Sequence, residues 1–493
     1  MNKHILSKST FIIGCQCSKA LYLNEHHPEL KAKITETQQA IFTRGQKVGE
    51  LAQKLFPGGI NLKNEYQFDF AIGVELVKQC LIEPDIILYE APFQYNDVLS
   101  IIDNLVSKNG QLKVYEVKSS TSISDTYLLD AALQYYVIKN SGYDLKDFCI
   151  VYINKQYVRH GELDIEQLFK IESVMDKILP LQDYISEKIE ELKSVIKSDN
   201  IPDIDIGPYC RNPYECNFIG YCWKHIPDYS IFNISKLKEE KKFELYHNGI
   251  IKFEDIPADF PLNENQKMQV ESELTGKRII NREQIREFVE GLNYPLFFLD
   301  FETFMPAIPL YDNSKPYQSL TFQYSLHELE SKGAELKHYE YLAQADYKVD
   351  PRIVLIESLL ENTKGPGDIL VYNESFEKTR LKEIANDFPE YRDETNERIS
   401  RLMDLMKPFQ SRFYYTPEMK GSYSIKTILP ALVPELSYAE LEIHEGGMAS
   451  NAYESLFEET DSDKISKIRT NLLEYCKLDT LAMAKILEVL ERE

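Results

Sequence analysis

The dipeptide Asn109-Gly110 fixes more of this chain's geometry than any other feature. It sits between two β-type runs in DVLSIIDNLVSKNGQLKVYEVKSST, and Asn-Gly in that setting is the strongest short-range signal for a two-residue type I′ hairpin. With those residues as the loop, Lys108 pairs with Gln111, and the same register sets Asp103 directly opposite Glu116. Side chains alternate along a strand, so Lys118 shares the face carrying Glu116 and Asp103. Two carboxylates roughly 5 Å apart across a strand pair repel, and Ile101, Ile102, Leu105, Val114 and Val117 make their surroundings half-buried. The plain alternative is a solvent-facing hairpin with ordinary charges. A divalent cation resolves the conflict. Mg²⁺ or Mn²⁺ takes a few carboxylate oxygens and keeps positions open for water and phosphate, while the nearby ammonium can orient the attacking water or stabilise pentavalent phosphorus. The spacing points to phosphodiester cleavage.

The rest of the chain constrains this reading. With 493 residues, 43% hydrophobic and 27% charged, it has room for two or three domains and is too apolar to be disordered. Its net charge of −23 predicts no long-range pull on nucleic acid or anionic lipid. The excess is uneven: residues 1–250 carry 28 basic and 34 acidic groups, residues 251–493 carry 28 and 45. Capture of nucleic acid would therefore rest on local basic strips, bound cations and end recognition. No apolar run approaches the roughly 18 residues of a membrane span, and MNKHILSKST has no signal-peptide core. A cytoplasmic protein is expected, with its eight cysteines as reduced thiols or metal ligands.

Three regions are expected: residues 1–228, a helical linker region over 229–285, and an α/β region over 286–493. In the last, strand-like runs (PLFFLDFETF, SLTFQYSLHEL, GDILVYN) alternate with helix-like ones, the rhythm of an α/β domain.

Asp103 with Glu116-Val117-Lys118 resembles the PD-(D/E)XK nuclease motif in its RecB-like branch. LLDAALQYYVIKNSGY is similar to the helix that follows in that branch, with Gln134 at the glutamine position. The resemblance implies a restriction-endonuclease-like fold with Asp103, Glu116, Lys118 and Gln134 as catalytic residues and Asp103 and Glu116 as metal ligands. The sequence departs at two points. Ile138 stands where the family tyrosine usually falls, with Tyr135 or Tyr136 as substitutes. FTRGQKVGELA lacks the first-helix histidine of many relatives, with Glu50 as an acidic replacement, so the third metal ligand stays open.

Cys210, Cys216 and Cys222 are spaced C-x5-C-x5-C in a turn-rich segment, with no CxxC pair and no nearby fourth ligand of the kind a local zinc site uses. Near the N-terminus, GCQCSKALYL offers Cys15 and Cys17. One cysteine before the nuclease core and three after it resembles the 4Fe-4S cluster of the AddB and CRISPR-associated RecB-like nucleases. The resemblance implies Cys17, Cys210, Cys216 and Cys222 as cluster ligands, with Cys15 as a rival and zinc as a second occupant of the same cage. Cys80, Cys149 and Cys476 lie in apolar patterns and read as structural.

A second acidic set lies in the C-terminal region. Asp300 and Glu302 interrupt an apolar strand and project from one face, where free carboxylates are rarely tolerated. Asn373 ends a strand, Glu377 opens a helix, and Tyr475 and Asp479 are four apart on a helix face. Together these resemble the DEDDy branch of the DnaQ-like 3′ to 5′ exonucleases on an RNase H-like fold. The resemblance implies Asp300, Glu302, Glu377 and Asp479 as ligands of two Mg²⁺ or Mn²⁺ ions bridged by Asp300, with Tyr475 positioning the water. Glu377 stands where the pattern has Asp and reaches one methylene further. Ser422, Tyr423 and Lys426 can contact a nucleic-acid backbone, and Gly446-Gly447 allows close approach; each also reads as a helix start or turn.

The chain as a whole is similar to a bacterial fusion of these two nuclease types. That resemblance implies a metal-dependent DNA nuclease with two active sites, acting on single-stranded DNA ends in repair, recombination or defence. Neither motif set reads the 2′-OH, so RNA stays open as a substrate. The alternatives are one live site with the other domain as a nucleic-acid clamp, or a non-enzymatic iron-sulfur scaffold that binds nucleic acid.

Overall fold

Asn109 and Gly110 both take positive φ, 52° and 72°, as a type I′ turn requires. In the computed structural model, which describes residues 5–493, the strands on either side pair from Lys108↔Gln111 to Asn104↔Tyr115. The chain is a mixed α/β protein whose packing forms two units. One runs to His225 and includes Ala307–Pro316; the other takes Ile226–Pro306 and Tyr317–Glu493. Among the described residues no helix is long and apolar enough to cross a membrane.

The first unit runs β1 (Leu6–Ser7), α1 (Lys8–Gln16), α2 (Glu36–Ala52), β2 (Ile60–Asn61), β3 (Ile86–Tyr95), β4 (Val98–Lys108), β5 (Gln111–Lys118), α3 (Asp125–Asn140), β6 (Leu145–Ile153), β7 (Phe169–Ser173) and α4 (Gln182–Lys197). Its sheet has the order β2-β3-β4-β5-β6-β7, with β1 parallel to β4. β5 and β6 are parallel, which demands a crossover, and α3 supplies it. Ser124 caps α3 by accepting the Tyr127 N–H, and the helix buries Ala131, Ala132, Leu133, Val137 and Ile138 in one core with Val114, Phe148 and Ile150. The two polar side chains buried on that helix, Asp130 and Gln134, therefore need partners.

In the second unit, β8 (Leu296–Phe304), β9 (Leu320–Leu329), β10 (Leu336–Leu342), β11 (Ile369–Val371) and β12 (Leu402–Asp404) form a sheet in the order β10-β9-β8-β11-β12. The first two pairings are antiparallel and the last two parallel. Helices α5 (Pro351–Asn362), α6 (Glu374–Asp387), α7 (Ile425–Leu432), α8 (Gly446–Ser455) and α9 (Ser462–Leu490) accompany it. The stretch 229–285, read from sequence as a linker, does contain short helices, at Glu239–His247 and Glu264–Thr275. It falls in the second unit, where Ile231, Ile234, Leu237, Leu245 and Phe253 bury together. Its Lys/Glu-rich composition hides these apolar anchors because they are spread over several short elements.

A buried polar network ties the sheet to α9. His327 pairs across the strands with His338, Ser325 Oγ bonds His338 Nε2 at 3.0 Å and Thr480 Oγ1 at 2.7 Å, and His327 Nδ1 bonds Thr480 Oγ1 at 2.8 Å. Burial, then His338 and Lys477, push His327 down to about 3; burial and Lys477 push His338 down to about 4. Both stay neutral in the fold below the ordinary value of 6.5, whereas the unfolded chain takes up protons there. Stability present above pH 6.5 is therefore lost as pH falls toward 4 and then 3, at up to about 1.4 kcal/mol per pH unit for each histidine. Thermal melts of His327→Asn should show a shallower acid slope than the wild type.

Candidate metal and cluster centres

At Asp103 the sheet of the first unit is interrupted on both sides, ending toward β5 and missing one pair toward β3. The β4·β5 ladder ends at Asn104↔Tyr115, and the β3·β4 ladder skips from Tyr89↔Asn104 to Ala91↔Ile102. The skipped residue, Glu90, has φ 54°, a left-handed conformation uncommon outside glycine. Freed from the ladder, Asp103 accepts the Val117 N–H on Oδ2 at 2.7 Å.

Glu116, 1% exposed, receives Lys8 Nζ at 2.7 Å and Lys118 Nζ at 2.8 Å on the same Oε1. Its buried Oε2 has no partner. Lys118 also holds Asp130 Oδ2, and Gln134 Nε2 donates to Asp130 Oδ1 at 3.1 Å. Burial and then the neighbouring Glu116 push Asp103 up to about 7, against Lys8 and Lys118. Burial opposes ionisation of Glu116 too, but Lys118 and Lys8 outweigh it and hold that carboxyl down at about 2. A cavity of about 660 Å³ opens onto these groups, and Glu50 and Glu90 lie in its wall.

Asp103, Glu116 and Lys118 thus converge, with Gln134 joined to them through Asp130. The tyrosine at the cavity is Tyr127, with Lys118 Nζ 5.2 Å from its ring centre. Tyr135 is buried in the core and Tyr136 stacks edge-on with Tyr95. Sequence reasoning missed Lys8, Glu90 and Asp130. Asp130 had a signal: it precedes Gln134 by four residues on an otherwise apolar helix. Lys8 had none, because it arrives from 108 residues away.

Cys17, Cys210, Cys216 and Cys222 line one small void together with Tyr209 and Phe218. Burial raises Cys17, Cys216 and Cys222, and neighbouring thiols of the same set raise each of them further. Cys15 lies elsewhere, among Tyr184, Lys188 and Glu191. Among the described residues, the group of three or more His, Cys, Asp or Glu ligand atoms lying mutually within 4.8 Å is Asp300, Glu302 and Asp479.

In the second unit, the ladder between β8 and β11 covers Phe297 and Phe298 only. β11 stops at Val371, Asn373 turns the chain with φ 84°, and α6 begins. Asp300 and Glu302, further along β8, therefore lie beyond the end of that neighbour, and Glu377 enters from the first turn of α6. Asn373 itself serves the turn: its N–H donates to Asp404 Oδ1 at 3.1 Å. From α9, Asp479 accepts the Tyr438 hydroxyl at 2.6 Å and Cys476 Sγ lies 3.6 Å from Asp300 Oδ2. Tyr475 sits one turn before Asp479, buried. Lys426 stands 5.1 Å from the Tyr475 ring centre and 5.7 Å from that of Tyr438, held by the His444 carbonyl at 2.6 Å. At Gly446, which opens α8, a Cβ would lie 3.9 Å from Glu302 Oε2. The Ser422–Tyr423 turn is tied instead to Tyr372, whose hydroxyl donates to the Tyr423 carbonyl.

Burial and mutual repulsion push Asp300, Glu302 and Glu377 well above the carboxylate range. Burial raises Asp479 to about 6, against the Tyr438 hydroxyl and Lys426. Glu377, 1% exposed, keeps an unpartnered Oε2. Tyr438, Lys426 and Asp404 complete the setting; of these only Lys426 was singled out by the sequence.

The family described as "Domain of unknown function (DUF2779)" matches residues 297–424, a stretch that holds Asp300, Glu302 and Glu377. The chain is similar to "Uncharacterized protein UU173" of Ureaplasma parvum, 28% identical over 213 residues, which are 38% of this chain and 30% of that protein. It is similar as well to "Uncharacterized protein MG366" of Mycoplasma genitalium, 26% identical over 210 residues, 38% of this chain and 31% of that one. The match thus spans less than a third of the length of these relatives.

Like charges buried together destabilise a fold until a cation or a proton relieves them. In metal-free buffer Asp300→Asn should raise the melting temperature. Adding Mn²⁺ should stabilise the wild type, by about 2.7 kcal/mol at a hundredfold excess over the dissociation constant, and this increment should shrink in Asp300→Asn. Calorimetric melts with and without Mn²⁺ check both signs.

Proposed function

We propose that the chain is a metal-dependent DNA nuclease with two active sites, one in each unit, acting on single-stranded DNA ends in repair, recombination or defence. In this reading the first unit is a RecB-like PD-(D/E)XK nuclease of restriction-endonuclease-like fold, and the second a DnaQ-like DEDDy exonuclease of RNase H-like fold. One observation carries it: each unit buries a set of converging carboxylates in which one oxygen, Glu116 Oε2 or Glu377 Oε2, has no partner. All-oxygen donor sets of this kind suit hard cations such as Mg²⁺ and Mn²⁺.

Asp103 and Glu116 would hold the ion of the first site, and Asp300, Glu302, Glu377 and Asp479 those of the second. Bound there, such ions lower the pKa of their water and offset charge on the phosphate. The protein's own part follows from its contacts. Burial works against the charge on Lys118, but Asp130 and Glu116 outweigh it and raise the ammonium well above its usual range. Lys118 therefore stays protonated and faces phosphate as a cation, with Asp130 and Gln134 fixing its position. Burial and Asp479 likewise keep the Tyr475 phenol protonated, so it can donate to a water or phosphate oxygen. Lys426 offsets part of the negative field of the second site. The burial of Glu377 beside Asp300 supports a live second site despite the longer side chain.

Cys17, Cys210, Cys216 and Cys222 are proposed to bind a 4Fe-4S cluster, which would staple the N-terminal helices to the segment after the nuclease core.

Single-turnover digestion of 5′- and 3′-labelled strands with Mn²⁺ tests the reading. Glu116→Gln or Lys118→Ala should remove one product pattern and Asp300→Asn or Asp479→Asn another, each by about 100-fold or more. Unchanged digestion in all four variants would sink the two-site proposal. A colourless, zinc-loaded protein from anaerobic purification would refute the cluster.

A further inference from the structure

Helix α2 carries Gly45 and Gly49 one turn apart within its 17 residues. Glycine in a helix interior is unfavourable relative to alanine, and a close neighbour or a positive φ usually accounts for it. Neither applies. A Cβ on Gly49 would meet nothing within 4 Å, one on Gly45 would meet Ser119 Oγ at 3.8 Å, an ordinary contact, and neither residue has positive φ. The protein does not need these glycines for its own packing. Both line the cavity that holds Asp103 and Lys118, and Glu116, with its unpaired buried Oε2, lines it too.

The remaining wall mixes both signs, with Glu50 and Glu90 among its lysines, so a polyanionic strand would be held there by local cations and not by net charge. Lys8 and Lys63 add cations to the wall that holds Lys118, Gln46 of α2 donates its amide to Glu50 there at 2.9 Å, and Gln53 adds an amide from the turn that follows the helix. One turn before Gly45 and Gln46, Phe42 is 59% exposed and its neighbour Ile41 53% exposed. An exposed aromatic on the helix that lines the cavity, one turn ahead of its lining residues, suits bases free to stack, which a duplex withholds and a single strand offers.

We propose that the Gly45–Gly49 face of α2 is the track along which the sugar-phosphate backbone of a single nucleic-acid strand enters the Asp103–Glu116 centre, with Phe42 stacking on a base at its mouth. The proposal rests on the nuclease reading of that centre. The bare helix backbone lets the strand lie close enough for its phosphate to reach Lys118, and a side chain at either position would fill the space the strand needs.

The test uses the full-length protein with fluorescein-labelled oligo-dT, oligo-rU and a blunt duplex in Ca²⁺ buffer, with thermal melts and Mn²⁺-dependent cleavage measured in parallel. Gly45→Ala/Gly49→Ala should melt higher than the wild type yet bind the single strand about tenfold more weakly. Phe42→Ala should weaken binding about fivefold or more. Loss of binding with rU as well as dT supports the track for either strand chemistry. Unchanged affinity in the double variant, a lowered melting temperature, or a loss confined to the duplex would each overturn the track. If the wild type still cleaves in those cases, the nuclease reading stands. A wild type that neither binds nor cleaves would overturn both.

Discussion

Strand ladders that stop or break are what the two acidic centres depend on. A carboxylate in the middle of a paired, apolar strand has nowhere to put its charge. At Asp103 the ladder to β5 has ended and the ladder to β3 misses one pair before resuming in the same register, and at Asp300 and Glu302 the neighbour β11 has already ended. Each opening admits side chains from helices: Lys8 from α1 and Asp130 from α3 in the first unit, Glu377 from α6 and Asp479 from α9 in the second. The conformations that make the openings, Glu90 at φ 54° and Asn373 at φ 84°, are ones non-glycine residues rarely adopt.

The two centres balance charge differently. In the first, two lysines share one oxygen of Glu116 and hold that acid ionised, while Asp103 is raised to about 7. In the second, Asp300, Glu302 and Asp479 face Lys426, which is bound to a carbonyl and flanked by tyrosine rings, while Glu377 has Arg380 as its nearby cation. Asp300, Glu302 and Glu377 are all raised well above the carboxylate range there. The demand for cationic charge is therefore greater in the second unit, where the acidic excess of the sequence also lies. The −23 net charge that argues against nucleic acid at long range says little about such local fields, which a bound cation reverses.

What the sequence disclosed were the residues whose placement local rules control. Asn109-Gly110 set a register that holds from Lys108 to Asn104, and period-2 alternation put Asp300 and Glu302 on one face. Beyond Asn104 the register stopped being informative, because the strands separate. Asp130 and Gln134 are four apart on one helix, so their contact is local, yet Asp130 looked like an isolated polar residue until Lys118 reached it. Lys8, Glu90 and Tyr438 come from elements distant in sequence, and no periodicity reports a tertiary approach. Cys17 and Cys15 were equivalent on spacing; Cys15 stays within α1 beside Tyr184, whereas Cys17 takes extended backbone where α1 ends and joins the other three thiols.

The places where this chain breaks the rules of a stable fold coincide with its candidate sites. It buries carboxylates against one another, leaves Glu116 Oε2 and Glu377 Oε2 without partners, and puts glycines in the middle of an exposed helix that has room for side chains. Consistency across propensity, packing and charge is what makes a sequence specify a structure, and violations concentrate where a ligand must be accommodated. The glycines extend that argument from cations to a second kind of ligand. Unpaired oxygens state where positive charge belongs, whereas missing side chains state where bulk belongs. In the first unit both vacancies open onto one cavity, as a centre that acts on a long polyanion at a cation-held phosphate would need.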